Sequence, residues 1–180
     1  MTDIRLASES DLAAIVALHD HYVETSPATF AIYPEPIEQW AESFRKTSAM
    51  YPWLVASDAG ALVGFAKAAP WRPRDAYAYT VEVSAYVAPD HHRRGIGVKL
   101  YDRLFAILHG QGYYTAIAAV VIPNAASERL HAKVGMRAAG TIENAGWKFD
   151  RWHSIRLYQL ELQDVQQTPG QIVSVASVAG

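Results

Sequence analysis

Apolar and polar positions along the chain change period several times, and each change marks an element. Residues 4–7 form a short extended stretch, followed by Ser8-Glu9-Ser10-Asp11, the pattern of a capping box. Leu12, Ile15, Val16, His19, Tyr22 and Val23 then fall on one helical face, which predicts a helix packed on a sheet. Pro36 opens a second helix carrying Ile37, Trp40, Ala41 and Phe44. Residues 53–57 and 61–68 read as strands joined by Asp58-Ala59-Gly60, a hairpin signal. From 77 to 87 the pattern alternates, with Tyr77, Tyr79, Val81, Val83, Ala85 and Val87 on one face and Thr80, Glu82, Ser84 and Tyr86 on the other, predicting a central strand. Ile96, Leu100, Leu104, Ile107 and Leu108 restore helical spacing up to Gly110 or Gly112. Residues 115–122 are an apolar run suited to a sheet interior, broken by Pro123, after which Asn124 caps a short helix running to Val134 with Gly135 beyond it. Residues 137–141 and 153–162 are expected as the last strands, around a loop carrying Asn144, Gly146, Trp147 and Trp152.

Composition narrows what such a chain does. With 180 residues, 51% of them apolar, it can bury one core, so residues 1–162 are expected as one domain. Residues 163–180 are expected as a tail, disordered or added as an edge strand. A net charge of −2 argues against general binding to nucleic acid or membrane surfaces, so any basic cluster has a local ligand. The absence of cysteine excludes disulfides, thiolate nucleophiles and cysteine-ligated zinc. His19 and His21 are two apart and cannot share a helix face, a poor arrangement for a metal, and no metal is expected. The N-terminus lacks a basic and an apolar leader segment, and no apolar run approaches the roughly 18 residues of a membrane span. The expectation is a cytoplasmic protein.

Three places carry candidate chemistry. After the central strand, His91-His92-Arg93-Arg94-Gly95-Ile96-Gly97 leads into a helix whose free N–H groups and dipole favour an anion such as a pyrophosphate. A Walker loop is excluded because Val98-Lys99-Leu100, not Lys-Ser/Thr, follows Gly97, and a dinucleotide fingerprint is excluded by Leu100 where a third small residue belongs. Next, Pro70-Trp71-Arg72-Pro73-Arg74 with Tyr77 makes a rigid, basic, aromatic loop suited to a small acidic molecule. Finally, Glu82 is a carboxylate in the middle of a central strand, where partial burial would raise its pKa toward that of a general base; pairing with Arg72 or Arg74 is the structural alternative. Phe30 and Tyr33 in the 25–36 loop serve either as a hydrophobic plug or as a substrate wall.

The order of elements, with a loop of the form x-x-x-Gly-x-Gly, resembles the GNAT superfamily of acyl-CoA-dependent N-acyltransferases, with His92 where the family has Gln or Arg. Further likeness to the phosphinothricin N-acetyltransferase branch lies in 21–26, 51–56, Pro70-Trp71, Arg74, Ala76, Tyr77, Thr80-x-Glu82, Tyr86-Val87, Pro123-Asn124, Ser127, His131 and the stretch from Gly146 to His153, across residues 3–162. That resemblance implies an α+β fold, a mostly antiparallel mixed sheet of about seven strands flanked by about four helices. It implies acetyl transfer from acetyl-CoA to the α-amino group of a small amino-acid-like acceptor by direct attack in a ternary complex, and a homodimer. Glu82 would be the base, directly or through water, and His131, in Leu130-His131-Ala132-Lys133-Val134-Gly135, would protonate the departing thiolate. Acetyl-CoA would be held by Val87, His92, Arg93, Arg94, Gly95, Ile96, Gly97, Val98, Asn124 and Ser127. The acceptor would meet Phe30, Arg72, Arg74, Tyr77 and Tyr86. Phosphinothricin, methionine sulfoximine or sulfone, and ordinary amino acids all stay open as acceptors. Another amine class, such as peptide N-termini or aminoglycosides, and a non-catalytic acyl-CoA-binding module are the alternatives.

Overall fold

The computed structural model describes residues 2–165 and 168–179. Its elements follow the order β1 (Asp3–Leu6), α1 (Leu12–Thr25), α2 (Ile37–Thr47), β2 (Trp53–Asp58), β3 (Ala61–Pro70), β4 (Thr80–Val87), α3 (Ile96–Gln111), β5 (Thr115–Ile122), α4 (Ala125–Lys133), β6 (Arg137–Lys148) and β7 (Arg151–Glu161). The seven strands form one sheet in the order β1-β2-β3-β4-β5-β7-β6. β4 and β5 run parallel and every other neighbouring pair is antiparallel. The mixed α+β architecture expected from the sequence is the one observed.

Alternation along the strands assigns each face its cover. Val81 and Val83 of β4, with Leu54, Ala66, Ala116, Ala118 and Tyr158, pack against Leu100, Leu104 and Leu108 of α3. On the opposite face Trp53, Val55 and Phe65 meet Leu12, Ile15 and Val16 of α1 and Trp40 and Phe44 of α2. The predicted hairpin between β2 and β3 turns on Ala59 and Gly60, both at positive φ (49° and 84°), the backbone that a two-residue primed turn needs.

Two predicted boundaries move. The central strand starts at Thr80, not at 77, because β3 ends at Pro70 opposite Val81 and leaves the earlier residues no partner; Asp75–Tyr77 form a short 3-10 turn instead. The stretch expected as a loop around Asn144 and Gly146 belongs to β6. β6 and β7 extend to a two-residue turn at Phe149 and Asp150, both at positive φ (51° and 55°), with register shifts between Ala138 and Gly140 and between Ile142 and Gly146. Those bulges interrupt the period of two and hide the strand in the letters.

Beyond β7 the described residues 168–179 add no strand to the sheet. They turn back along α3, where Val175 is buried beside Ile172 and Val178. The fully buried Gln111 side chain donates to the carbonyls of Met50 and Val173 (2.9 Å each) and ties the turn before β2, the end of α3 and this segment together.

At the start of α1 the capping box is extended into a clamp. Asp11 accepts the Ser8 backbone N–H (2.8 Å) and both guanidinium nitrogens of Arg5 on β1 (2.7 Å each). The Arg5 guanidinium, then the Ser8 donors, hold the Asp11 carboxyl well below the usual carboxylate range despite its partial burial. Asp11→Ala is expected to lower the unfolding free energy by about 1–2 kcal/mol at neutral pH. A carboxyl whose pKa is depressed by folding contributes stability above its unfolded pKa of about 3.9, and that contribution is lost as pH falls through the folded value. Urea unfolding of both proteins therefore gives a difference at pH 7 that shrinks below about pH 4.

Candidate active site

Glu82 stands at the point where the sheet opens. The parallel ladder between β4 and β5 runs through Thr80–Thr115, Val81–Ala116 and Glu82–Ile117 and goes no further. β5 stays paired with β7 as far as Ile122–Ser154, and β4 with β3 as far as Val87–Gly64, so beyond Glu82 the two strands part. The bonds Trp71 N–H to Thr80 O (3.4 Å) and Ala88 N–H to Val63 O (2.9 Å) set the phase of the β3–β4 ladder. Even-numbered residues of β4 bond to β3, and the backbone groups of Val83, Ala85 and Val87 turn toward the gap. A cavity of about 700 Å³ occupies it, bounded by residues 83–87 of β4, 118–121 of β5, the first turn of α3 and the α4 residues Ser127, Leu130 and His131. This is ample for an elongated ligand.

At one mouth lies the predicted anion loop. Arg93 (φ 63°) and Gly95 (φ 78°) take left-handed backbone and turn the chain into α3. The first bond of that helix is Lys99 N–H to Gly95 O (3.1 Å), leaving the N–H groups of Ile96, Gly97 and Val98 without helical acceptors. Gly97, inside the first turn of α3, serves close approach: a Cβ there would sit 2.9 Å from Leu130 Cδ2, so the glycine lets α4 approach α3. The Ile96 side chain is buried in the core, and it is the backbone of this residue that faces the cavity mouth. Arg93 borders the cavity, whereas the exposed Arg94 is not among the residues lining it.

His92 turns inward. Its Nε2 lies 3.0 Å from the Val87 carbonyl and 2.9 Å from the Tyr22 hydroxyl, which itself donates to the same carbonyl (2.6 Å). The Val87 carbonyl is thus satisfied, and the free group of that residue is its N–H. Tyr22 was readable only as a packing residue of α1; its partner lies 65 positions away in the chain.

Asn124 caps α4, its Oδ1 accepting the Ser127 N–H (3.1 Å). His131 is buried; its Nδ1 lies 2.7 Å from the Ser127 carbonyl and its Nε2 3.1 Å from the hydroxyl of Tyr101. Only a protonated Nδ1 bonds a carbonyl, so Nε2 of the neutral ring accepts from Tyr101. Burial pushes the His131 pKa down and that of Tyr101 up. Tyr101 borders the apolar stripe of α3, three residues before Leu104 and seven before Leu108, and is buried in the core, where it stacks on Phe105 four residues on (5.2 Å); from spacing alone it reads as a packing residue.

On the opposite face of the sheet, Glu82, Ser84 and Tyr86 look toward α1 and α2. Burial raises the Glu82 pKa, opposed by the charge of Lys67 on β3. Neither Arg72 nor Arg74 forms an ion pair with Glu82 among the described residues, so the structural alternative for this carboxylate is absent. Both arginines are exposed on the loop after β3, with Arg72 stacked on Trp71 (5.3 Å), and Tyr77 follows in its 3-10 turn. Tyr86 stacks on Phe65 (5.1 Å) and lies close to Tyr22 (5.4 Å). Phe30 packs on Gly146 so closely that a Cβ there would lie 2.6 Å from its ring. His19 is buried against Trp40 (4.9 Å), and burial, with Lys67 and Lys148, pushes its pKa down to about 4, a neutral core histidine. Among the described residues no cluster of metal ligands forms, and no helix is long and apolar enough to cross a membrane.

These features have counterparts in known proteins. Residues 15–136 match the acetyltransferase (GNAT) family model. A phosphinothricin N-acetyltransferase of Streptomyces viridochromogenes is 37% identical over 89% of this chain and 88% of its own. An L-methionine sulfoximine/L-methionine sulfone acetyltransferase of Pseudomonas aeruginosa is 34% identical over 92% of this chain and 98% of its own. The crystal structure of a phosphinothricin acetyltransferase from Sinorhizobium meliloti in complex with acetyl-CoA superposes with a TM-score of 0.91 at 30% identity, covering 96% of this chain and 95% of that one. The cleft, the anion loop and the sheet that opens beside Glu82 are thus those of an acetyl-CoA-dependent N-acetyltransferase, and the chain belongs to the GNAT family, alongside its phosphinothricin N-acetyltransferases.

Proposed function

We infer that the protein transfers the acetyl group of acetyl-CoA to the α-amino group of a small amino-acid-like acceptor, of the phosphinothricin or methionine sulfoximine and sulfone type, by direct attack within a ternary complex. The observation that carries this reading is Glu82, a half-buried carboxylate at the last paired residue before β4 and β5 part, on the sheet face opposite α3. The thioester supplies the acyl group: its carbonyl carbon gains a bond to the amine nitrogen and loses its bond to sulfur. Free N–H groups of Ile96, Gly97 and Val98, with Arg93, suit the pyrophosphate, and the unpaired backbone edges of β4 and β5 suit the amide-bearing arm. Asn124 and Ser127 hold α4 at the cavity wall through the cap.

An amino-acid ammonium, with a pKa of about 8 or above, loses a proton before its nitrogen attacks. Glu82 takes that proton, directly or through water, and its raised pKa fits the task. The Val87 N–H, turned into the gap, donates to the carbonyl oxygen as negative charge grows there. His131 supplies a proton to the departing thiolate. The neutral ring, its Nδ1–H held by Ser127, carries no proton on Nε2, so it first takes one up from solvent; that proton passes to the Tyr101 oxygen while the Tyr101 O–H passes to sulfur, and the proton collected by Glu82 returns to solvent. On the acceptor side Arg74, assisted by Arg72, Tyr77, Tyr86 and Phe30, holds the acid group of the acceptor, the guanidinium fork matching a carboxylate or phosphinate.

The protein acts as a homodimer. β6 is an exposed edge strand, and its hairpin with β7 presents Trp147 (53% exposed), Phe149 (50%) and Trp152 (59%) with Ile142 (48%). A long apolar edge of this kind is covered in a stable protein, and a second copy supplies the matching surface.

Free-thiol release from acetyl-CoA, measured against phosphinothricin, methionine sulfoximine, methionine sulfone, common amino acids, a peptide and an aminoglycoside, is expected to be confined to the small amino acids. Arg74→Ala should raise KM for them about tenfold or more with little change in kcat. Turnover only of the peptide or the aminoglycoside overturns the reading, and acetyl-CoA binding with no turnover at all favours a binding module. Glu82→Gln is expected to lower kcat by about 10²–10⁴. Because burial raises the Glu82 pKa, the wild-type acid limb should lie above the roughly 4.3 of a free glutamate, with activity lost as pH falls through it. The variant should lose that limb and recover in part toward the amine pKa. Sedimentation equilibrium is expected to give a dimer, and Trp152→Asp a monomer; a monomeric wild type refutes the dimer.

A further inference from the structure

Lys67 is the charge for which neither the fold nor the chemistry so far has a use. It lies on β3, paired with Trp53 on one side and Ser84 on the other, so its side chain shares the sheet face of Glu82 and Tyr86 and occupies the row between them. Its Nζ sits 4.8 Å from the ring centre of Trp40 and 4.6 Å from that of Trp53. Among the described residues no hydrogen bond or ion pair reaches it. Two indole faces favour the charged form and hold it in place, but they leave its three N–H donors unspent. The same layer contains further orphans, since the indole Nε1 atoms of Trp40 and Trp53, both nearly fully buried, also lack an acceptor. A tryptophan Nε1 is a donor only. This corner of the acceptor face therefore has donors in surplus, and the carboxylates whose charge reaches Lys67, Glu35 first and then Glu82, both lie beyond ion-pair reach of Nζ.

We propose that Lys67 is a specificity-determining residue of the acceptor site, its ammonium receiving an anionic group on the side chain of the acceptor, a carboxylate or phosphinate. This rests on the amino-acid reading above, in which Arg74 takes the α-carboxylate and Glu82 the amine proton. Two fixed cations at different points along the acceptor then measure the separation of its two acid groups. An acceptor with a neutral side chain forfeits the second contact and leaves the ammonium unpartnered. Charge at this position also explains why a lysine interrupts an otherwise apolar stretch of β3, where a methionine would fill the space between two indoles at no electrostatic cost.

The test compares acceptor pairs of one shape and different charge, glutamate against glutamine and phosphinothricin against methionine sulfone, in wild type, Lys67→Met, Lys67→Gln and Lys67→Arg. The readout is the ratio of kcat/KM between the acidic and the neutral member. Losing one charge-assisted contact is expected to lower that ratio about tenfold or more in Lys67→Met and Lys67→Gln, mainly through KM for the acidic acceptor, and Lys67→Arg should restore most of it. Calorimetric acetyl-CoA binding shows that each variant is folded, and the glutamine variant keeps the comparison open should the methionine variant not fold. A purely structural role of Lys67 lowers both members equally, and an unchanged ratio in Lys67→Met or Lys67→Gln overturns the proposal while leaving the acetyl-transfer reading intact. A wild type inactive on every amino acid overturns both.

Discussion

The ladder between β4 and β5 stops after three pairs, and the rest of the site depends on that stop. A sheet that stayed paired through Val87 would have spent the backbone groups of residues 83–87 and 118–121 on each other and left no cavity. Parting the strands leaves polar groups without partners, at a cost of about 1–3 kcal/mol for each one buried. The cost is bearable because both strands remain fully paired on their outer sides, β4 with β3 and β5 with β7. What holds them apart is also what completes the site. α3 packs under the opening, and α4 reaches it because Gly97 has no side chain to keep Leu130 away.

The two faces of the opened sheet divide the chemistry by charge. On the α3 face, free helix N–H groups and Arg93 collect negative charge. On the other face, a half-buried carboxylate lies one residue row from a half-buried ammonium. Glu82 and Lys67 are too far apart to neutralise one another by contact, and each moderates the effect of burial on the other. A contact ion pair would have drawn the carboxylate pKa down and weakened it as a base. Spacing the pair across two strands keeps Glu82 basic and leaves Lys67 with hydrogen bonds to give.

Much of this was legible in the letters. The β2–β3 turn, the cap at Asn124, the anion loop and the two faces of β4 follow from local pattern because each is decided by neighbours in sequence. Residues 137–141 and 153–162 announce the last two strands, but the far end of their hairpin looks like a loop in the letters, since its bulges break the alternation and Phe149-Asp150 carries no glycine to announce a turn. The early start given to the central strand failed for another reason: Tyr77 and Tyr79 alternate correctly, but β3 ends at Pro70 and a strand needs a partner as well as a pattern. At the site, Glu82, His131 and the glycine loop could be found from their residue types. The contacts of Tyr22 with Val87 and of Tyr101 with His131 could not, because each is a relation between residues 30 or more positions apart.

Lys67 lies between these cases. A lone lysine in an apolar strand is a visible anomaly, yet only the register shows that it points to the face of Glu82 and not to the α3 core, a distinction of one residue in phase. The same register decides its meaning. Shifted by one, the ammonium would be buried among the leucines of α3, with no indole to stabilise it and no route to a ligand. In the observed phase, a position that weakens the core places a cation one row from Glu82. Beside an acceptor bound as inferred above, it would favour the unprotonated amine by repulsion while drawing the Glu82 pKa down, two effects of opposite sign on the proton transfer, and both would operate for any acceptor, whatever the charge of its side chain. Selectivity for an acid, proposed above, and any effect on the amine would therefore be separable consequences of one charge, the first read in ratios between acceptors and the second in rates common to all of them.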